Sequence, residues 1–181
     1  FRWAKGYFQA FKGAANYSQF CFLCHNILMN IKDFLESMRN LAASVSIVSA
    51  QDQQKKNFAM TVSSLTSLSM DPPAILVCVN KEASIHSVLK EGASFAVNIL
   101  TKAHTEIANV CSSKEKEDQR FNFEQWVLDN PPIIQDAQAI IFCEVDKLVD
   151  YHTHSIVIGS VKGVKNKEGF NTLMYANGGY I

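Results

Sequence analysis

Residues 60–80 read MTVSSLTSLSMDPPAILVCVN. Thr61, Ser63, Ser64, Thr66 and Ser67 place five hydroxyls in seven positions, and Ser69 follows. Hydroxyl side chains at this density favour bonds to nearby backbone over helix packing. With backbone N–H groups they also wrap an anion such as phosphate without a buried countercharge. Composition alone reads the stretch as a solvated Ser/Thr loop. The turn DPP (71–73) stops it, and AILVCVN (74–80) follows with the apolar continuity of a buried strand.

Outward from this stretch, short apolar segments alternate with turns. SVSIVSA (44–50) and FAMTVSS (58–64) read as two strands joined through the hairpin-like run DQQKKN (52–57). SFAVNIL (94–100), AIIFCEVDKLVDY (139–151) and HSIVIGSVKGV (154–164) read as further strands. A tight turn at 166–169 precedes the closing TLMYANGGYI. Ile31, Phe34, Leu35, Met38 and Leu41 recur at helical spacing and predict an amphipathic helix over 31–42. A short helix is expected over 84–90, with Ser84 as its cap and Gly92 beyond its end. Another is expected over 103–110, and CSSKEKEDQRFN (111–122) reads as a solvated surface segment. Neighbouring strands with hairpin-length loops favour a mainly β, antiparallel barrel with a few short helices over a doubly wound sheet.

The 181 residues suit one domain, and a 48% hydrophobic content supplies a sizeable core. Seventeen basic and seventeen acidic residues cancel, which leaves no electrostatic footprint for nucleic acid or an anionic membrane. No apolar run reaches the roughly 18 residues of a membrane span. The five cysteines are an odd number, and Cys78 and Cys143 sit inside apolar strands. That usage fits a reduced, cytoplasmic protein better than a disulfide framework. Residues 1–28 are aromatic-rich without a clean period, so they read as an N-terminal extension of a domain over 29–181 that starts at Met29.

Several constellations carry competing readings. There is no G-x-G-x-x-G or Walker loop among the eight glycines. CFLCH (21–25) matches the c-type haem attachment pattern, but so short a match also arises by chance, and the incidental reading is favoured. Zinc would need two more ligands, so no metal site is expected. His152 and His154 stand two apart on an expected strand and would share a face; one imidazole could line a ligand pocket. Tyr175 and Tyr180 flank Asn177-Gly178-Gly179 and read either as a core pair around a turn or as a stacking wall. No Ser/His/Asp or Cys/His nucleophile pattern is present.

Together these segments resemble the flavin reductase family with the FMN-binding split β-barrel, including the small reductase components of two-component flavin monooxygenases of the 4-hydroxyphenylacetate hydroxylase type. AMTVSSLTSLSMDPPAILVCVN is similar to that family's G-M-T-x-S-S-x-x-S-x-S-x-x-P-P signature and the strand after it. SFAVNIL, RFNFEQW, PPIIQDAQAIIFCEV, HSIVIGSV and MYANGGY match further family segments in order. The resemblance runs from about residue 34 to the end. Ala59 replaces a frequent Gly before Met-Thr, and Thr153 replaces the usual Asp before His154.

The resemblance implies an NAD(P)H-dependent reductase of FMN or FAD that supplies reduced flavin by diffusion to a partner monooxygenase. It implies a homodimer with flavin sites at the interface. The flavin ring would lie against Ala59, Met60, Thr61 and Val62 and against the 77–80 strand with Val79 and Asn80. Thr61, Ser63, Ser64 and Ser84 would contact phosphate and ribityl groups, with Asn80 and Asn98 nearby. His154 would help place the nicotinamide as the one catalytic side chain, and Tyr180 would close the pocket. Two alternatives stand beside this: a flavoredoxin-like electron carrier with bound FMN, and a non-catalytic flavin-binding split barrel.

Overall fold

The structure, a computed structural model, describes residues 30–181. The chain divides into two units, 1–38 and 39–181. In the first, α1 (Ile31–Arg39) carries Ile31, Phe34, Leu35 and Met38 at the expected spacing, and none of its residues is buried. The extension over 1–28, the start at Met29 and the CFLCH motif lie outside the described residues.

The strands of the second unit are, in chain order, β1 (Ala43–Ser44), β2 (Ser46–Gln51), β3 (Asn57–Val62), β4 (Thr66–Met70), β5 (Pro73–Asn80), β6 (Ser94–Ile99), β7 (Trp126–Val127), β8 (Ile133–Ile134), β9 (Ala139–Tyr151), β10 (His154–Asn166), β11 (Met174–Ala176) and β12 (Gly179–Tyr180). One helix, α2 (Thr105–Ser112), follows β6. Seven strands make an antiparallel sheet in the order β3-β2-β6-β9-β10-β5-β4, the mainly β, barrel-forming arrangement expected.

Alternation explains the packing. Val48 and Ala50 of β2 face one cluster with Phe58, Val77, Phe95 and Val97. Val45 and Ile47 face a second cluster with Ala59, Ile107, Ala108 and Leu173, under α2. β2, one strand in from the β3 edge, is therefore buried on both sides. Each fully buried Val, Ile or Phe contributes roughly 1.5–3 kcal/mol.

Several expectations change. The Ser/Thr stretch is not all loop: Thr66–Met70 forms the edge strand β4, paired with β5 but exposed along its length. Its apolar residues Leu68 and Met70 are both exposed, so no buried face marks the strand. β5 is half-buried rather than fully buried, with Ile75, Val77 and Val79 inward and Leu76 and Cys78 between. The expected 84–90 helix is a 3₁₀ turn over Ser84–Ser87 whose N-cap is Ala83, with no side-chain cap. His152 has a positive φ of 46° in the turn between β9 and β10, so it does not share a strand face with His154. Arg120, expected in a solvated segment, is 7% exposed. Asn177 (φ 50°) and Gly178 (φ 80°) make the tight β11–β12 hairpin, where two positive φ values suit Asn-Gly.

Gly159 marks where β10 presses on the core. A Cβ there would sit 2.5 Å from Phe95 Cζ and 3.2 Å from Cys143 Cβ. Gly159→Ala is expected to lower unfolding stability by about 1–3 kcal/mol, read from urea denaturation; an unchanged midpoint would mean that β10 is not pressed against Phe95.

Candidate functional site

β3 ends the sheet, so one of its sides has no strand partner. What fills that side decides what the edge can bind. At Ala59 the carbonyl is taken by Arg120, whose Nη1 donates at 2.7 Å. Arg120 Nη2 donates to Ser113 O at 2.9 Å, and Trp126 Nε1 donates to Arg120 O at 2.7 Å. At Thr61 the hydroxyl donates to Ala108 O of α2 at 2.7 Å. These bonds hold α2 and the segment after it against the strand.

Beyond them the edge opens into a cavity of about 510 Å³. Thr61 and Val62 of β3 and the following Ser63 line it, with Asn109 and Ser112 from α2 and Tyr175, Gly178, Gly179 and Tyr180 from the closing hairpin. Tyr175 and Tyr180 meet edge to face with centroids 5.6 Å apart. Burial, and then the neighbouring Tyr175, raises the Tyr180 hydroxyl above its ordinary value, so it stays a neutral donor at physiological pH. The expected Thr61, Val62, Ser63 and Tyr180 are thus brought to one wall. Asn109 and Ser112 were missed; the signal was two polar residues at i, i+3 on one face of the helix.

A second group of expected residues gathers at the end of β5. Asn80 is the register partner of His154. Lys81 N donates to Thr153 O at 2.9 Å, and Asn80 Oδ1 accepts from Glu82 N at 2.9 Å. Ser84 follows, with its Oγ buried and without a partner among the described residues. His154 is exposed, and its Nδ1 lies 2.9 Å from Thr153 Oγ1. Thr153 therefore supplies a contact to the imidazole where the resemblance led one to expect an aspartate.

Ser64 links the two groups. Its Oγ accepts from Cys78 N at 3.0 Å and donates to Cys78 O at 3.3 Å, standing in for a strand partner. Four further expected ligand residues do not line this cavity. Asn98 is fully buried; its Nδ2 donates to Ile47 O and Ser49 Oγ, and its Oδ1 accepts from Ile134 N. Its expected ligand contact gives way to a role inside the core. The Val79 side chain is fully buried in the barrel interior, and Ala59 faces the α2 cluster with its carbonyl engaged by Arg120. Met60 is half-buried against the interior cluster.

Burial pushes the Cys111 and Cys143 thiols up to about 12, which excludes them as activated nucleophiles. Among the described residues no group of three or more His, Cys, Asp or Glu side chains is placed to hold a metal ion. Nor is any described helix long and apolar enough to cross a membrane.

Residues 38–181 match the flavin reductase like domain. The chain belongs to the flavin reductase-like family. It is 35% identical over 77% of its length to a protein named "Probable flavin reductase" from Rhizobium meliloti (strain 1021), but spans only 45% of that protein. It is 30% identical to the reductase component of the FADH(2)-dependent resorcinol hydroxylase of Rhizobium sp. (strain MTP-10005), covering 82% of this chain and 85% of that one. It superposes on the styrene monooxygenase flavin reductase of Pseudomonas putida S12 with a TM-score of 0.74 at 25% identity, over 82% of this chain and 96% of that one.

Two outcomes follow for this member of the flavin reductase-like family. Asn98→Ala is expected to cost about 1–3 kcal/mol in urea unfolding, because it orphans the buried Ile134 N–H. Ser84→Ala should leave the melting temperature of the ligand-free protein unchanged or slightly raised, since the hydroxyl it removes has no protein partner. A clear fall in that temperature would mean that the Ser84 hydroxyl already supports the fold.

Proposed function

We propose that this chain is an NAD(P)H:flavin oxidoreductase that reduces FMN or FAD and supplies the reduced flavin by diffusion to a flavin-dependent monooxygenase. The observation that carries this reading is the cavity at the free edge of β3, in a chain of the flavin reductase-like family. The residues present fit a phosphorylated flavin. Ser84 offers a buried hydroxyl that nothing in the protein satisfies, beside Asn80, and a buried polar group without a partner is one that a ligand stabilises. The edge of β3 offers peptide groups on a side without a strand partner.

Bound flavin supplies the hydride and electron chemistry, and the protein orients and tunes it. Ser63 and the peptides of 61–63 would hold the ring edge, and backbone N–H groups there would stabilise developing negative charge. Ser84 and Asn80 would take the phosphate. His154 would help place the nicotinamide, with Thr153 restraining its ring. Thr61 and Ser64 act mainly by holding α2 and β5 in place, since their hydroxyls are already engaged. Tyr175 and Tyr180 would cover the cavity and exclude water.

No Lys or Arg lines the cavity, which favours NADH over a donor with a 2′-phosphate. A homodimer, in which a second copy completes the walls, fits the same reading, and the cysteine usage supports a cytoplasmic protein.

The test is steady-state NADH oxidation with added FMN, FAD or riboflavin, beside an absorbance spectrum of the purified protein. Turnover that depends on added flavin is expected. A yellow protein without NAD(P)H oxidation would favour the flavin-bound electron carrier instead. His154→Ala is expected to raise KM for NADH or slow reduction by about tenfold or more; unchanged kinetics would remove His154 from the site.

A further inference from the structure

We propose that Asp150, Ser155 and His86 form a positioning network that fixes the segment bearing Ser84 and so sets how strongly this protein holds the terminal phosphate of a flavin mononucleotide. The proposal rests on the reading of Ser84 as a phosphate contact and adds to it three residues that no part of that reading uses.

The network is read from donors and acceptors. Ser155 lies on β10 directly after His154 and is fully buried. It faces Asp150 of β9 across the strand pair. The distance from Ser155 Oγ to Asp150 Oδ1 is 2.6 Å. An ionised carboxylate only accepts, so the single hydroxyl hydrogen is committed there. Ser155 Oγ lies 2.8 Å from His86 Nε2, and with its hydrogen already used it accepts from Nε2–H. The neighbours of Asp150 favour its ionised form: the Ser155 hydroxyl first, and then Lys81, hold its carboxyl below the usual range. Lys81 Nζ stands 3.4 Å from Asp150 Oδ2.

One carboxylate therefore grips both ends of the segment 81–86, Lys81 directly and His86 through Ser155. Between those ends lies Ser84. The turn it starts is a single 3₁₀ turn of four residues without a side-chain cap, a form with little stability of its own. The two grips differ in weight. Lys81 and Asp150 are 34% and 71% exposed, so water screens their attraction and it contributes little. The His86–Ser155 bond ends on a fully buried hydroxyl, where losing one partner leaves the other unsatisfied. A segment held in this way loses less freedom when it closes on a phosphate, which raises affinity for the phosphorylated ligand without a new contact.

FMN and riboflavin differ only by the phosphate, so titrating both separates this role from a general loss of structure. Ser155→Ala and His86→Leu should weaken FMN binding about tenfold while leaving riboflavin within about twofold. His86→Gln, which keeps an N–H donor at similar reach, should retain the FMN preference. Ser84→Ala is the reference and should itself lose that preference. If Ser84→Ala lowers the FMN-to-riboflavin ratio and the network variants do not, the network is overturned and the phosphate reading stands. If Ser84→Ala leaves the ratio unchanged, the phosphate reading fails and the proposal with it. Equal loss of both ligands in Ser155→Ala and His86→Leu, accompanied by a lower melting temperature, would make the network a support of the fold alone and overturn its role in binding.

Discussion

The Ser64 hydroxyl, bonded to both the N–H and the C=O of Cys78, is the contact on which the arrangement of the site depends. β3 is at one end of the seven-strand order and β5 next to the other end, so no ladder joins them. The curl natural to a twisted sheet brings such ends together only if something replaces the missing backbone partners. Ser64 does this with one side chain, on a strand section that β4 no longer covers. It adds to the apolar cluster that Phe58 and Val62 of β3 share with Val77 and Val79 of β5.

The same constraint explains why the outer side of β3 is built as it is. An open edge inside a folded protein needs each peptide group paired, covered or wet. Arg120 covers the Ala59 carbonyl, and the Thr61 hydroxyl ties α2 to the strand. The remaining stretch opens to the cavity under Tyr175 and Tyr180. Arg120 is buried and bonds to two main-chain carbonyls, and its Nε has no partner among the described residues. A buried charge held in this way is costly, and here it fastens the segment after α2 to the edge strand.

Much of this was legible from the chain. The apolar runs placed β2, β3, β5, β6, β9 and β10 within a residue or two of their ends, because each has a face that must be buried. Of the residues expected to contact flavin, Thr61, Val62, Ser63 and Tyr180 line one cavity. The rest was not legible. Nothing local distinguishes Thr61 and Ser64, whose hydroxyls are engaged within the fold, from Ser84, whose hydroxyl is not. The resemblance implied a ligand contact for Asn98; its three bonds run to Ile47, Ser49 and Ile134, all remote in sequence. Arg120 sits among so many charges that a solvated face was the natural reading.

By itself the sequence determined the fold class and the longer apolar strands, since period and turn chemistry are short-range properties of the chain, and the order of its motifs carried the resemblance to the family. Which polar groups remain free for a ligand was decided only by the tertiary structure. A hydroxyl or amide is available only after every buried donor and acceptor around it has been satisfied, and those partners lie 14 residues away for Ser64 and 47 for Thr61. For the same reason the link from His86 through Ser155 to Asp150 has no local signal: it joins residues 69 positions apart that meet only once β10 lies between β5 and β9.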